Sequence, residues 1–145
     1  MSFLIARWIA VTFLSISLIH LYWAAGGTLG SDAVVPQVPG QLPGELQPAF
    51  QPSGLITLLV ALGLLLCAML VCLRVGLYLP SVSHGWLQWV ISALAVLMFA
   101  RAIGDSEWVG FFKQPSASKF ARLDTLVYSP LCVLLGAGLL VVAWN

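Results

Sequence analysis

The sequence predicts an all-α fold, an integral membrane four-helix bundle. Three observations predict it. Hydrophobic residues make up 61% of the 145-residue chain and charged residues only 8%. A soluble domain carries about a quarter charged residues, so this chain has too few to cover a water-facing surface. The charges also fall between, or near the ends of, four long apolar runs. Finally, these runs are apolar on every face, as in Leu58 to Leu66. A transmembrane barrel would alternate apolar and polar residues instead. A net charge of +1 excludes an electrostatic nucleic-acid binder, which needs a basic face.

A crossing helix needs about 20 mostly apolar residues. The first run, residues 3–25, has Arg7 near its start and small residues at Ala24, Ala25 and Gly26. It resembles a secretory signal peptide in outline and reads as a retained signal anchor. The second run covers 55–74 and closes on Arg74. Pro80, Ser81, Ser83, His84 and Gly85 interrupt the next uncharged stretch, so the third span is expected at 86–102. The fourth is expected at 125–145. A single four-span domain results, with links at 26–54, 75–85 and 103–124. The first link holds Pro36, Pro39, Pro43, Pro48 and Pro52, a density that opposes helix and sheet interior. It is expected to be extended and turn-rich. In the fourth span Pro130 predicts a kinked helix beginning near Asp124, with the carbonyl of Leu126 freed.

Four spans place both termini on one side and the first and third links on the other. The terminal side carries Arg7 and Arg74. The link side carries Arg101, Lys113, Lys119 and Arg122, with all five acids, Asp32, Glu45, Asp105, Glu107 and Asp124. A bare count of basic residues would put the link side in the cytoplasm. Arg7 ahead of the first span and a long first link without Lys or Arg point the other way. The third-link cations also sit among acids and aromatics, as parts of a folded site. The balance favours cytoplasmic termini in a bacterial inner membrane. Trp8, Trp86, Trp89 and Trp144 read as interfacial anchors.

The chemistry-bearing residues gather on the link side. His20, Tyr22 and Trp23 end the first span, Arg101 and Asp105 the third. Lys113, Arg122 and Asp124 lead into the fourth, whose first turns hold Thr125, Tyr128 and Ser129. Each has a plainer reading. Arg101 and Asp105, four apart, would pair along a helix, weakly in this order against the dipole. Asp124 suits a helix N-cap. Lys113 and Lys119 read equally as loop charges, and His20 as a hydrogen-bonded packing residue. Charges facing hydrocarbon cost about 2.5–3.5 kcal/mol each. Arg101, Asp105, Arg122 and Asp124 are therefore expected to form one interior network near His20. One guanidinium, preferably that of Arg122, is expected to reach a cavity lined by His20 or Tyr128.

These residues carry a resemblance. His20-Leu-Tyr22-Trp23-Ala-Ala-Gly26-Gly27, Arg101-Ala-Ile-Gly104-Asp105, Gly110-Phe-Phe-Lys113 and Phe120-Ala-Arg122-Leu-Asp124-Thr-Leu-Val-Tyr128-Ser129-Pro130-Leu-Cys132 resemble an uncharacterised family of small four-span bacterial inner-membrane proteins, a domain of unknown function. The resemblance spans essentially the whole chain. It implies an architecture and a set of residues, and no reaction.

Several chemistries lack their residues. Cys67 and Cys72 share one apolar helix and Cys132 lies in another, with no Cys-x-x-Cys. The two histidines, His20 and His84, fall on opposite sides, which argues against haem or zinc. No glycine-rich phosphate loop is present, and no acid sits mid-span for proton-coupled efflux. No metal and no cofactor is expected. Three functions remain. The first is a site for an anionic head group, of a lipid or a small ligand, using Arg101, Lys113, Arg122, Asp124, Tyr128 and Tyr22. Arginine's planar fork suits phosphate and carboxylate. The second is a membrane-surface enzyme with His20 as acid–base and Asp105 or Asp124 orienting it. The third is a structural subunit or small oligomeric transporter, where Gly63, Gly136 and Gly138 would let helices approach. The expected partners are membrane lipids, a lipid or small anionic ligand and, in the third case, further copies in a homo-oligomer.

Overall fold

The computed structural model describes residues 2–78, 80 and 85–145; His84 and the serines at 81 and 83 lie outside them. Four of its helices are long and apolar enough to cross a membrane, and the protein is a multi-pass membrane protein of the all-α class. In chain order the elements are α1 (Ser2–Ala24), the one-turn α2 (Ser31–Val34), strands β1 (Gln37–Pro39) and β2 (Leu46–Pro48), α3 (Gly54–Val75), α4 (Gly85–Ile103), α5 (Lys119–Leu123), a π-helical turn (Asp124–Tyr128) and α6 (Ser129–Trp144).

The bundle consists of two helix pairs. α1 lies along α3 and α4 along α6, and the α1–α6 contact joins the pairs. The core follows helical spacing: Ala6, Ile9 and Phe13 of α1, Val71 of α3, Leu87, Ile91 and Ala95 of α4, and Leu135, Leu139 and Val142 of α6 are buried. Small residues permit the close approach that drives helix association in lipid. A Cβ on Gly136 would come within 2.9 Å of the Phe99 ring of α4, and one on Gly138 within 2.9 Å of Ile9 of α1. Buried Ser17 donates to the carbonyl of Ala61 at 2.7 Å and ties α1 to α3. At the opposite end from the links, Arg74 donates to the carbonyl of Ala143 at 2.8 Å, filling one of the acceptors that a helix end leaves open. Trp144 meets Trp89 edge to face and donates to Ser92.

The first link has no long helix. It does contain a small antiparallel pair, with Gln37 opposite Pro48 and Pro39 opposite Leu46, where proline density argued against sheet. The reason is that both strands of a two-stranded ribbon are edges, and edges accept proline. Two contacts secure the link's beginning: Trp23 Nε1 donates to the carbonyl of Leu29 at 2.9 Å, and the Leu29 N–H donates to Tyr22 Oη.

The fourth helix departs from expectation. It begins at Lys119, six residues before the expected Thr125, and Asp124 is interior rather than an N-cap. Ser118 is the cap, its hydroxyl accepting from the Ala121 N–H at 3.1 Å. The chain then widens into the π turn, where Ser129 N–H donates to the carbonyl of Asp124. Pro130 follows at once. Its ring would collide with the i−4 carbonyl and it has no N–H to give; the wider turn lets the helix pass it. The helix thus passes Pro130 by way of a bulge in a continuous helical run from Lys119 to Trp144. In an α-helix, residues five apart lie about 140° apart around the axis. The π turn closes that angle, so Asp124 and Ser129 both face inward, each fully buried.

Candidate functional site

The polar centre at the link end is built on Asp124. Its side chain is completely buried. One carboxylate oxygen accepts from Arg101 Nη2 of α4 at 2.8 Å. The other accepts from the Gly110 N–H at 2.7 Å and from Lys113 Nζ at 3.0 Å. A buried carboxylate is tolerable only when paired and hydrogen-bonded, and here two cations and a backbone amide supply that. Lys113 is almost as deeply buried, and its other two protons go to the Gly110 carbonyl at 2.8 Å and Thr125 Oγ1 at 2.7 Å. All three ammonium donors are used. Arg101 differs. Its Nη1 and Ser129 Oγ are the two buried side-chain polar atoms without a hydrogen-bond partner among the described residues.

The loop after α4 brings Gly110 to Asp124. Gly104 (φ +76°) and Gly110 (φ +87°) both adopt left-handed conformations, which glycine takes without strain. They also touch: a Cβ on Gly104 would collide with the Val109 carbonyl, and one on Gly110 with that of Ile103. Asp105 N–H donates to the Val109 carbonyl and Phe111 N–H to that of Ala102, which closes the loop.

Asp105 belongs to this loop and not to the network around Asp124. One of its oxygens accepts from the N–H groups of Glu107, Trp108 and Val109 at 2.8, 2.5 and 3.1 Å. Nor does Asp105 pair with Arg101: Gly104 ends the helix between them, and Arg101 reaches Asp124 instead. The Trp108 and Val109 amides, foremost, hold the Asp105 carboxyl below the usual aspartate range. A depressed carboxyl stabilises the loop above the unfolded pKa of about 3.9, and that contribution is lost as pH falls through the lower folded value. In detergent micelles the Val109 amide shift should therefore titrate with a midpoint below about 3.9, and Asp105→Ala should abolish the titration. A midpoint at or above the ordinary aspartate value contradicts this account.

The other expected site residues are dispersed. Arg122 is exposed and lies outside the Asp124 network. It lines an open depression of about 330 Å³, with Phe111, Lys113, Gln114, Ser116 and Leu126 among its walls and no acid. Neither His20 nor Tyr128 lines it. His20 Nδ1 lies 2.9 Å from the carbonyl of Ile16, and its ring meets Trp23 edge to face. No hydrogen bond joins it to Asp105 or Asp124 among the described residues, so the expected histidine–carboxylate pair is not formed. Tyr128 Oη donates to the carbonyl of Ala33 at 3.1 Å, and Tyr22 holds the turn at Leu29. Both tyrosines serve the first link. So do Lys119, paired with Asp32 at 2.9 Å across the exposed surface, and Trp108, whose ring lies beside Phe50. The first and third links are thus strapped together over the bundle end.

Sequence reasoning missed Gly104, Gly110 and Ser118 as builders of the site. A signal existed for each: a glycine immediately after a basic last turn, a second glycine just ahead of Phe111, and a serine immediately ahead of a helical run.

A comparison with curated proteins and with solved structures gives no match. A family model described as "Protein of unknown function (DUF3995)" matches residues 13–139, from the middle of α1 to near the end of α6, and so takes in the whole link end. The chain belongs to that family.

Proposed function

We propose that the protein binds an anionic group at one face of a bacterial inner membrane, in the depression between the third link and the start of the last span. The observation that carries this is Arg122, a guanidinium with no hydrogen-bond partner among the described residues, in a hollow that no acid lines. Behind it the charges do not balance. Arg101 and Lys113 share the one buried acid, Asp124, and Arg122 adds a cation outside that network. Lys113 contributes field alone, since its donors are used, and the fixed network keeps that field in place. In this reading Arg122 is the ligand-binding residue and Asp124 a positioning residue.

Arg122→Gln should keep the fold and lower affinity for phosphate-bearing probes at least tenfold, about 1.4 kcal/mol, as read by ligand-induced shifts in thermal stability. Equal shifts in wild type and variant would remove the proposal. They would favour a second reading, supported by the complete bonding of Asp124 and Lys113, in which the link end is a structural lock of a membrane subunit.

The depression lies at the link end, so its compartment depends on topology. The proposed orientation places both termini in the cytoplasm and the site on the outer face of the inner membrane. Alkaline phosphatase fused after Asn145 should be inactive, and a cysteine at Gln41 should react with an impermeant maleimide in spheroplasts. An active fusion together with a protected cysteine reverses the orientation.

A further inference from the structure

We infer that the anion is the phosphate of an anionic membrane phospholipid, which enters sideways from the bilayer rather than from water. The inference rests on the anion-binding reading above and names the ligand within it.

The depression has two kinds of wall. Arg122, Gln114 and Ser116 form a polar part, while Leu126 and Phe111 form an apolar one. Leu126 is 65% exposed and Phe111 46%. Leu126 continues into Val127, also exposed, on the apolar surface of the last span, and Phe112 beside Phe111 is 73% exposed. A hollow for a soluble anion would gain nothing from an apolar floor open to the lipid side. A phospholipid has both parts in this order, phosphate at the span boundary and acyl chains beneath it.

Arginine near a span end keeps its stem along apolar surface and its head at the interface, which is the height of lipid phosphates. Its fork can grip two phosphate oxygens at once. The volume, about 330 Å³, is at the lower end for a small-molecule site. It suits a head group with the first carbons of its chains and not a whole lipid. The lining of the depression holds the cations Arg122 and Lys113 and no acid, which favours a net negative lipid over a zwitterionic one.

The test uses the full chain in phosphatidylcholine nanodiscs with added phosphatidylglycerol, read by native mass spectrometry of retained lipid. Wild type, Arg122→Gln and Leu126→Ser are compared, with helical circular dichroism as the check of fold. Inorganic phosphate and glycerol phosphate are added separately as soluble competitors. The expected result is retention of phosphatidylglycerol over phosphatidylcholine, reduced at least tenfold in Arg122→Gln and about threefold in Leu126→Ser, with neither soluble anion competing at millimolar concentration. Competition by soluble anions that depends on Arg122 but not on Leu126 would leave the anion site standing and overturn the lipid. Equal retention of both lipids in all three proteins would overturn the lipid inference and the anion site together.

Discussion

Asp124→Ala will cost about 3–5 kcal/mol of stability, the range for removing one member of a buried charged network. The substitution leaves Lys113 buried with an uncompensated charge and strips Arg101 Nη2 of its acceptor. It also orphans the Gly110 N–H, so the loop after α4 loses its link to the last helix. Unfolding in mixed micelles by added dodecyl sulfate, followed by helical circular dichroism, will show the change. Asp124→Asn retains a carbonyl acceptor and should cost less, about 2 kcal/mol, close to the loss of charge-assisted hydrogen bonds. Arg101→Leu added to Asp124→Ala should recover part of the loss, since the two residues share one interaction. An alanine variant within about 1 kcal/mol of wild type would show that the pairing only breaks even against desolvation.

Gly104→Ala will be as damaging, about 4 kcal/mol or more, in the range reached only through strain or network loss. Two effects act together. The residue has φ +76°, unfavourable for any side chain with a Cβ, and the new methyl group would occupy the place of the Val109 carbonyl. Backbone cannot yield there without breaking the hydrogen bonds of Asp105 and Phe111 that close the loop. The effect should reach Asp124 through Gly110, so dodecyl sulfate unfolding and the Val109 amide shift should change together. Gly63→Ala is the contrast. A Cβ there meets nothing within 4 Å, and alanine is the better helix former by roughly 0.8–1 kcal/mol, so this variant should be as stable as wild type or slightly more so.

Both predictions concern residues that the sequence marks unequally. Asp124 stands out as a charge beside a long apolar run, and its burial follows from that position. Its partners are less legible. Arg101 is four residues from Asp105, and local spacing favours that pair; the turn at Gly104 separates them, and Asp105 finds three backbone amides closer to hand. Arg122 and Asp124 are two apart, which on a helix points their side chains in different directions. One therefore faces the core and the other is exposed. His20 and the acids converge only in the sense that all belong to link-side ends of spans; α1 lies chiefly along α3, while Arg101 and Asp124 sit on the α4–α6 pair.

The sequence by itself determined the membrane class, the helical fold and the gathering of polar residues at the link side. These depend on the one-dimensional alternation of apolar runs and charges, because hydrocarbon tolerates no unsatisfied backbone and few charges. Only the tertiary structure decided which cations meet Asp124, that Lys113 has no donor left, and that Arg122 stands outside their network. Those outcomes turn on the left-handed glycines at 104 and 110 and on the π turn ahead of Pro130. Each rotates a side chain by a large angle through a small local change, and the energy favouring that change comes from a carboxylate that needs partners brought from 11 and 23 residues away.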